Sequence, residues 1–271
     1  MLSSFTSSLS VQKILFFLLL NEKCYATQMS QHFNIPLTPL QHALGKLEKG
    51  GVLISYYEGK TRYFKFDPNY PLLSELATLL KKAYTFFPAE QKKLYYRPAF
   101  SMKPSRQKTN IGPNTPSGQK ALEMAWEKLL KVQNLCFSAK SKSVSLSTGW
   151  NGLGKGAVEV KRENDHTLLF HERGSWVSED NKQFEFSNVF RWSRRLTDGV
   201  INLEHLRFGA QNPVFLFSLV PMDGNTLESM EAHACNEDSY FGQLRCDKHF
   251  IQLNWRIIGP KKNEEIDYLY T

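Results

Sequence analysis

The chain has 271 residues, room for two domains at the usual ~100–200 residues each, and an ordinary composition for a soluble protein. Its formal charge of +8 is uneven: residues 1–115 hold 15 Lys+Arg against 6 Asp+Glu, and the remainder holds 19 against 20. The basic half is therefore the one suited to neutralising phosphate. The four cysteines (Cys24, Cys136, Cys235 and Cys246) show no CxxC and no paired spacing, which excludes a disulfide framework and points to a reducing cytoplasm.

In chain order, the Ser-rich stretch 1–10 is expected to fray. Ile14 to Leu20 (ILFFLLL) looks like a secretory core, but seven apolar residues cannot span a bilayer and no A-x-A-like site follows. The preferred reading is a buried first helix over about Val11–Asn21, with no membrane partner. A short helix, TQMSQHF, follows, with Thr27 as its N-cap and a stop before Pro36. Thr38 and Pro39 then start a second helix, Thr38–Lys49. Its Leu40, Ala43, Leu44 and Leu47 recur at core spacing, and Gly50-Gly51 closes it. Two strand-like runs, VLISYY and TRYFKF, are joined by Glu58-Gly59-Lys60 as a hairpin.

Helix, tight turn, helix and basic hairpin is the order of a winged helix, in which the second helix enters the major groove and the hairpin touches backbone phosphates. LxxxLxxLEKxGVL from Leu40, followed by GKTRYF, resembles bacterial winged-helix regulators of the ArsR-like class over about residues 10–85. On that resemblance the partner is double-stranded DNA. Thr38, Gln41, His42, Lys46 and Lys49 would lie on the recognition helix, with Gln41 and His42 as base readers. Lys60 and Arg62 would lie on the wing, against phosphates. The alternative is a winged helix used only for protein contacts.

Leu72, Leu73, Leu76, Leu79, Leu80 and Tyr84 form a helical stripe in Leu72–Phe86. In regulators of this kind such a helix pairs with its twofold mate, so a homodimer is expected; packing on its own domain is the alternative. Residues 88–118, rich in Pro, Lys, Ser and Gly, read as a basic linker. GQKALEMAWEKLLK then leads into some eight or nine closely spaced strand-like runs separated by Gly, Asn, Asp and Pro turns. The expected fold class is thus α+β with two domains. A winged helix-turn-helix occupies 1–87, and a small antiparallel up-and-down β-barrel occupies 119–271.

STGWNGLGKGAVEV, LLFHERGSW, FSNVFRW, HLRFG, AHACNEDSYFG and WRIIGPKKN resemble successive motifs of an uncharacterised, lipocalin-like (calycin-type) barrel family, a domain of unknown function, over about residues 125–271. The resemblance implies a fold and positions but no reaction, and it implies no cofactor. Period-two alternation puts His205 with Arg207 and His233 with Cys235 on shared faces. Arg191, His205, Arg207, His233 and Tyr240 are expected to converge inside the barrel as a site for a small anionic ligand, with Asp238 and Glu172 as internal partners. The alternative is a closing network of salt bridges and hydrogen bonds. His233, Cys235 and His205 or Asp238 could hold zinc, but only one ligand pair is present, so no metal is expected. Gly152, Gly154 and Gly156, beside Trp150, lack the helix of a dinucleotide motif; they read as glycines that let a strand bend. The leading functional expectation is a DNA-binding transcription regulator with a sensing barrel. The alternatives are an enzyme using His205, His233 and Cys235, and a structural adaptor.

Overall fold

The apolar run near the N-terminus forms α1, Leu9–Asn21, because Ser8 caps it by accepting from the Val11 N–H at 3.2 Å. Ile14 and Phe16 to Leu20 are buried, and no helix among the described residues is long and apolar enough to cross a membrane. The structure is a computed structural model that describes residues 8–97, 112–142 and 151–271. The Ser-rich start and the centre of the expected linker lie outside those residues, as does Trp150.

Next come α2 (Ala26–Phe33) and α3 (Leu37–Lys49). Each begins one residue before the N-cap read from the sequence. Tyr25 takes the first cap, with the Gln28 side chain accepting from the Tyr25 N–H at 3.4 Å, so Thr27 falls inside the first turn. Pro36 takes the second cap, and Thr38 and Pro39 fall in a first turn that tolerates proline. The hairpin is β1 (Leu53–Glu58) and β2 (Thr61–Phe66), and α4 is Leu73–Thr85.

A correction concerns the linker. Residues 89–95 form α5, Ala89–Tyr95, which packs on α1. Tyr95 and Tyr96 are buried, and the Asn21 amide donates to both the Phe17 and Tyr95 carbonyls at 2.8 Å. The helical unit therefore extends past Phe87. Later in the chain, α6 (Pro116–Leu129) starts with Thr115 as cap and Pro116 in its first turn.

The remaining strands are β3 (Asn134–Ser141), β4 (Gly152–Asn164), β5 (Thr167–Ser178), β6 (Gln183–Arg195), β7 (Val200–His205), β8 (Val214–Pro221), β9 (Thr226–Ser229), β10 (His233–Cys235), β11 (Asp238–Cys246), β12 (Ile251–Ile258) and β13 (Asn263–Tyr270). Except for β9 and β10, neighbours in sequence are neighbours in the sheet; β13 pairs with β3, and β9 closes the ring on β11. The result is a closed antiparallel barrel of ten strands, with β10 as an extra ribbon on β11. The strand beyond the expected eight or nine is β9, which is only four residues long. Asn236 (φ 56°) turns one apparent long strand into the β10–β11 hairpin, which adds the ribbon and not a barrel strand.

Alternation sends Phe170, Trp192, Phe217, Leu244, Trp255, Tyr268 and Tyr270 into the barrel core. The helix α6 lies over the end formed by the β6–β7 and β11–β12 loops. Its Leu122, Ala125, Trp126 and Leu129 join that core, and Lys128 donates to the Lys248 carbonyl at 3.1 Å. The β4 glycines do serve close approach. A Cβ on Gly156 would lie 2.3 Å from the Arg173 carbonyl oxygen, and one on Gly154 would lie 2.1 Å from the Phe137 ring.

The two units are joined through the outer face of β11–β13. Phe241 and Ile258 enter the core of the helical unit, and Tyr96 stacks on Phe241 at 4.4 Å. Arg256 donates to the Leu20 carbonyl and Asn263 to the Leu19 carbonyl, both at 2.9 Å, so barrel side chains satisfy carbonyls that the end of α1 leaves open. Lys93 pairs with Glu228, Lys82 with Glu237 at 2.5 Å and Lys142 with Glu22 at 2.9 Å.

Candidate functional site

Two regions carry the residues singled out in the sequence. The first is the face of α3 and the hairpin. Leu40, Ala43 and Leu44 turn inward, which leaves Thr38, Gln41, His42, Lys46 and Lys49 exposed. Lys60 and Arg62 are exposed on the hairpin. A groove of about 390 Å³ runs between the two, lined by Thr27, Gln41, Gly45, Lys60 and Arg62. Arg62 departs from its expected role of waiting for phosphate. Its Nη2 donates to both carboxylate oxygens of Glu48 at 2.9 and 2.8 Å, and its Nε donates to Ser55 at 3.0 Å. It ties the hairpin to α3, and Lys60, at the hairpin tip, is the residue left to reach outward. The joining contacts of the barrel come from α1, α4, α5 and the segments beside them, on other sides of the unit.

The second region is the barrel mouth opposite α6. His205 is on the inner face, opposite Phe190 in the sheet and stacked on its ring at 4.6 Å; Phe190 in turn packs edge-on to Trp255. Burial, with the nearby Arg207 charge adding, lowers His205 to about 4, so the ring is neutral near pH 7. His233 sits at the β8–β10 seam, edge-on to Phe215 at 4.6 Å and 6.5 Å from Tyr240, and burial lowers its pKa too. Tyr240, opposite His233 in the sheet, is raised, chiefly by burial.

The two arginines do not join them inside. Arg191 is opposite Glu204 on the outer face and donates to it from Nε at 2.6 Å. It lies one residue from Trp192, which is buried within, so strand alternation turns it out. Arg207 lies past the end of β7, exposed, over the Phe208 ring. Asp238 pairs with Lys262 at 2.9 Å rather than with an arginine. His233 and Tyr240 thus face each other across β10–β11 and His205 lies on the inner face of β7, while Arg191 turns out and Arg207 is exposed past the end of β7. Among the described residues no three His, Cys, Asp or Glu side chains are grouped to hold a metal ion, and all four cysteines are free.

Deeper in, Glu172 is fully buried. Its Oε1 accepts from the Tyr270 hydroxyl at 2.8 Å, and its Oε2 has no partner among the described residues. The indole N–H groups of Trp192 and Trp255 are likewise without partners there. Among the described residues the interior therefore presents a carboxyl, indole donors and tyrosines, and Arg191 is not one of its groups. Glu172 was expected as a partner for arginines and holds none. The two residues that sequence reasoning missed are Arg256 and Asn263. Arg256 shares the outer face of β12 with Gln252 and Asn254, and Asn263 opens β13, so neither stands out locally from an ordinary solvent-facing polar residue.

Fold and sites together define a class: a helical unit with an exposed groove bearing Lys60 at its rim, docked on a ten-stranded antiparallel barrel. Within it, residues 140–271 match the model of a family of unknown function (DUF6314), which takes in the barrel from the end of β3 onward. No curated protein matches the chain. Among solved structures, EF1p2_mFAP2b bound to DFHBI is similar at 6% identity and a TM-score of 0.30, over 57% of this chain and 98% of that one. A likeness at that level carries no argument.

Proposed function

We propose that this protein is a DNA-binding transcription regulator: the helical unit is a winged helix of the ArsR-like kind, α3 is its recognition helix, and the barrel is the sensing unit. The observation that carries the reading is the joint exposure of Gln41, His42 and Lys46 on α3 with Lys60 on the hairpin, Gln41 and Lys60 lining one groove. Basic charge is concentrated in this half of the sequence, as phosphate neutralisation requires. The barrel is attached elsewhere, so a duplex would meet α3 and the hairpin first.

Fluorescence anisotropy with labelled duplexes over a range of salt concentrations tests this. Lys60→Ala is expected to weaken binding to all sequences alike and to flatten the salt dependence by about one counterion. Gln41→Ala and His42→Ala should instead cost about 1–3 kcal/mol on the preferred sequence only. Binding with no salt dependence, or no binding to any duplex, would overturn the reading.

The regulator is also proposed to be a homodimer through α4, since twofold dimers suit palindromic half-sites. That helix buries Leu73, Ala77, Leu80 and Tyr84 against its own unit. Leu72, Leu79 and Phe86 stay 57, 53 and 60% exposed, and with half-buried Leu76 they follow the 4-3 spacing of a helix–helix seam. Sedimentation of the full chain at micromolar concentration should give a dimer, and Leu79→Glu a monomer. A monomeric wild type sinks the dimer.

A further inference from the structure

The contacts that join the two units leave a cleft between them. It has a volume of about 280 Å³ and is lined by Lys23, Arg97, Lys142 and Arg256, together with Glu22 and Glu265. Four cations against two carboxylates leave the lining formally at +2. The carboxylates are already engaged. Lys142 Nζ stands 2.9 Å from both Glu22 and Glu265, and although burial works against its charge, these two acids raise its pKa overall.

Arg256 is not fully engaged. It is 4% exposed, so each of its N–H groups needs an acceptor within the protein or in the cleft. Nη2 serves the Leu20 carbonyl at 2.9 Å and Asn263 at 2.5 Å. Nη1 is 4.0 Å from Glu265, beyond hydrogen-bond reach, and Nε has no partner among the described residues. A buried guanidinium with unfilled donors is costly, and an oxyanion is the acceptor that matches it best. Arg97 is set at the rim by its backbone N–H, which donates to Asn21 at 3.2 Å.

We propose that this cleft is the effector site, and that its ligand is a small phosphate-bearing metabolite held by Arg256, Arg97, Lys142 and Lys23. The proposal rests on the regulator reading and gives it a mechanism. The cleft is also lined by Gln28 of α2 and Tyr63 of β2. Lys23 lies over the Tyr63 ring and pairs with Glu58 on the hairpin at 2.6 Å. A phosphate bridging Arg256 on β12 and Lys23 would therefore fix the hairpin and α2 relative to the barrel. It would shift the population of DNA-competent arrangements to the extent that it binds one of them more tightly.

The test uses the full chain and inorganic phosphate, titrated at ionic strength held constant with chloride. The expected result is a saturable rise in melting temperature and a calorimetric binding isotherm. Arg97→Ala and Lys23→Ala, at the more open side of the cleft, should each weaken phosphate binding at least tenfold. Saturating phosphate should also change the affinity of the wild type for duplex DNA, and that change should vanish in the double variant. No saturable binding, or binding that persists in the double variant, overturns the site. So does binding weakened by Lys60→Ala instead, which would put the anion in the groove beside α3. If the protein binds phosphate as described but no duplex, the site stands and the regulator reading falls.

Discussion

Replacing Asn263 with leucine is expected to cost about 3 kcal/mol and to loosen the helical unit from the barrel. Asn263 is 1% exposed, and its amide nitrogen donates to the Leu19 carbonyl at 2.9 Å and to the Lys142 carbonyl at 3.0 Å. Its oxygen accepts from Arg256 at 2.5 Å. Leucine keeps the branched heavy-atom layout, with more bulk, and removes all three. The Leu19 carbonyl then loses its barrel partner at the end of α1, and the buried guanidinium of Arg256 loses one of its two close acceptors. Leaving buried polar groups unmatched costs more than the bonds themselves contribute. Urea denaturation gives the loss of stability. Hydrogen exchange should show protection falling first in α1 and β13, the two elements that Asn263 ties together. A change within about 0.5 kcal/mol, the scale of an uninvolved surface site, would mean that the junction does not hold the units together.

The junction also shows where the sequence was legible and where it was not. Local signals placed α1, the two helices after it, the hairpin and most barrel strands within a few residues, because apolar periodicity and Gly, Pro and Asn punctuation act over short distances. NLCFSAKS matches β3 residue for residue. Three kinds of error remained. The cap residues were misjudged because Tyr25 and Pro36 have no side-chain cap bond that a preference scale would reward. The helix α5 was hidden in a Lys- and Pro-rich stretch, because its stability comes from Tyr95 packing on Phe16 and Phe33 rather than from its own composition. The inner site was misjudged at Arg191, where a single step of alternation decides between the core and Glu204 outside. Arg256 and Asn263 depend on which unit covers which strand face, and no local pattern carries that information.

Glu172 is expected to make the barrel less stable as pH rises from about 4.5 to 7, and Glu172→Gln is expected to abolish that slope. Burial is the main cause that pushes this carboxyl up to about 7; hydrogen bonds from Tyr270 and Asn188 work the other way and do not offset it. The folded value lies above the unfolded one of 4.5, so the native state holds the proton more tightly. Below pH 4.5 both states are protonated and the group contributes its full share of stability. That share is lost as pH climbs through the folded value, to a total of about 3 kcal/mol. Glutamine keeps an oxygen to accept from the Tyr270 hydroxyl and carries no charge at any pH. At pH 8 the variant should be about 3 kcal/mol more stable than the wild type, and near pH 4 the two should be close. Urea midpoints from pH 4 to 9 for both proteins decide it. Parallel curves would mean that Glu172 is charged and matched in the native state. Arg191 pairs with Glu204 on the outer face, so the cationic cleft proposed for an anion is the one at the junction of the two units.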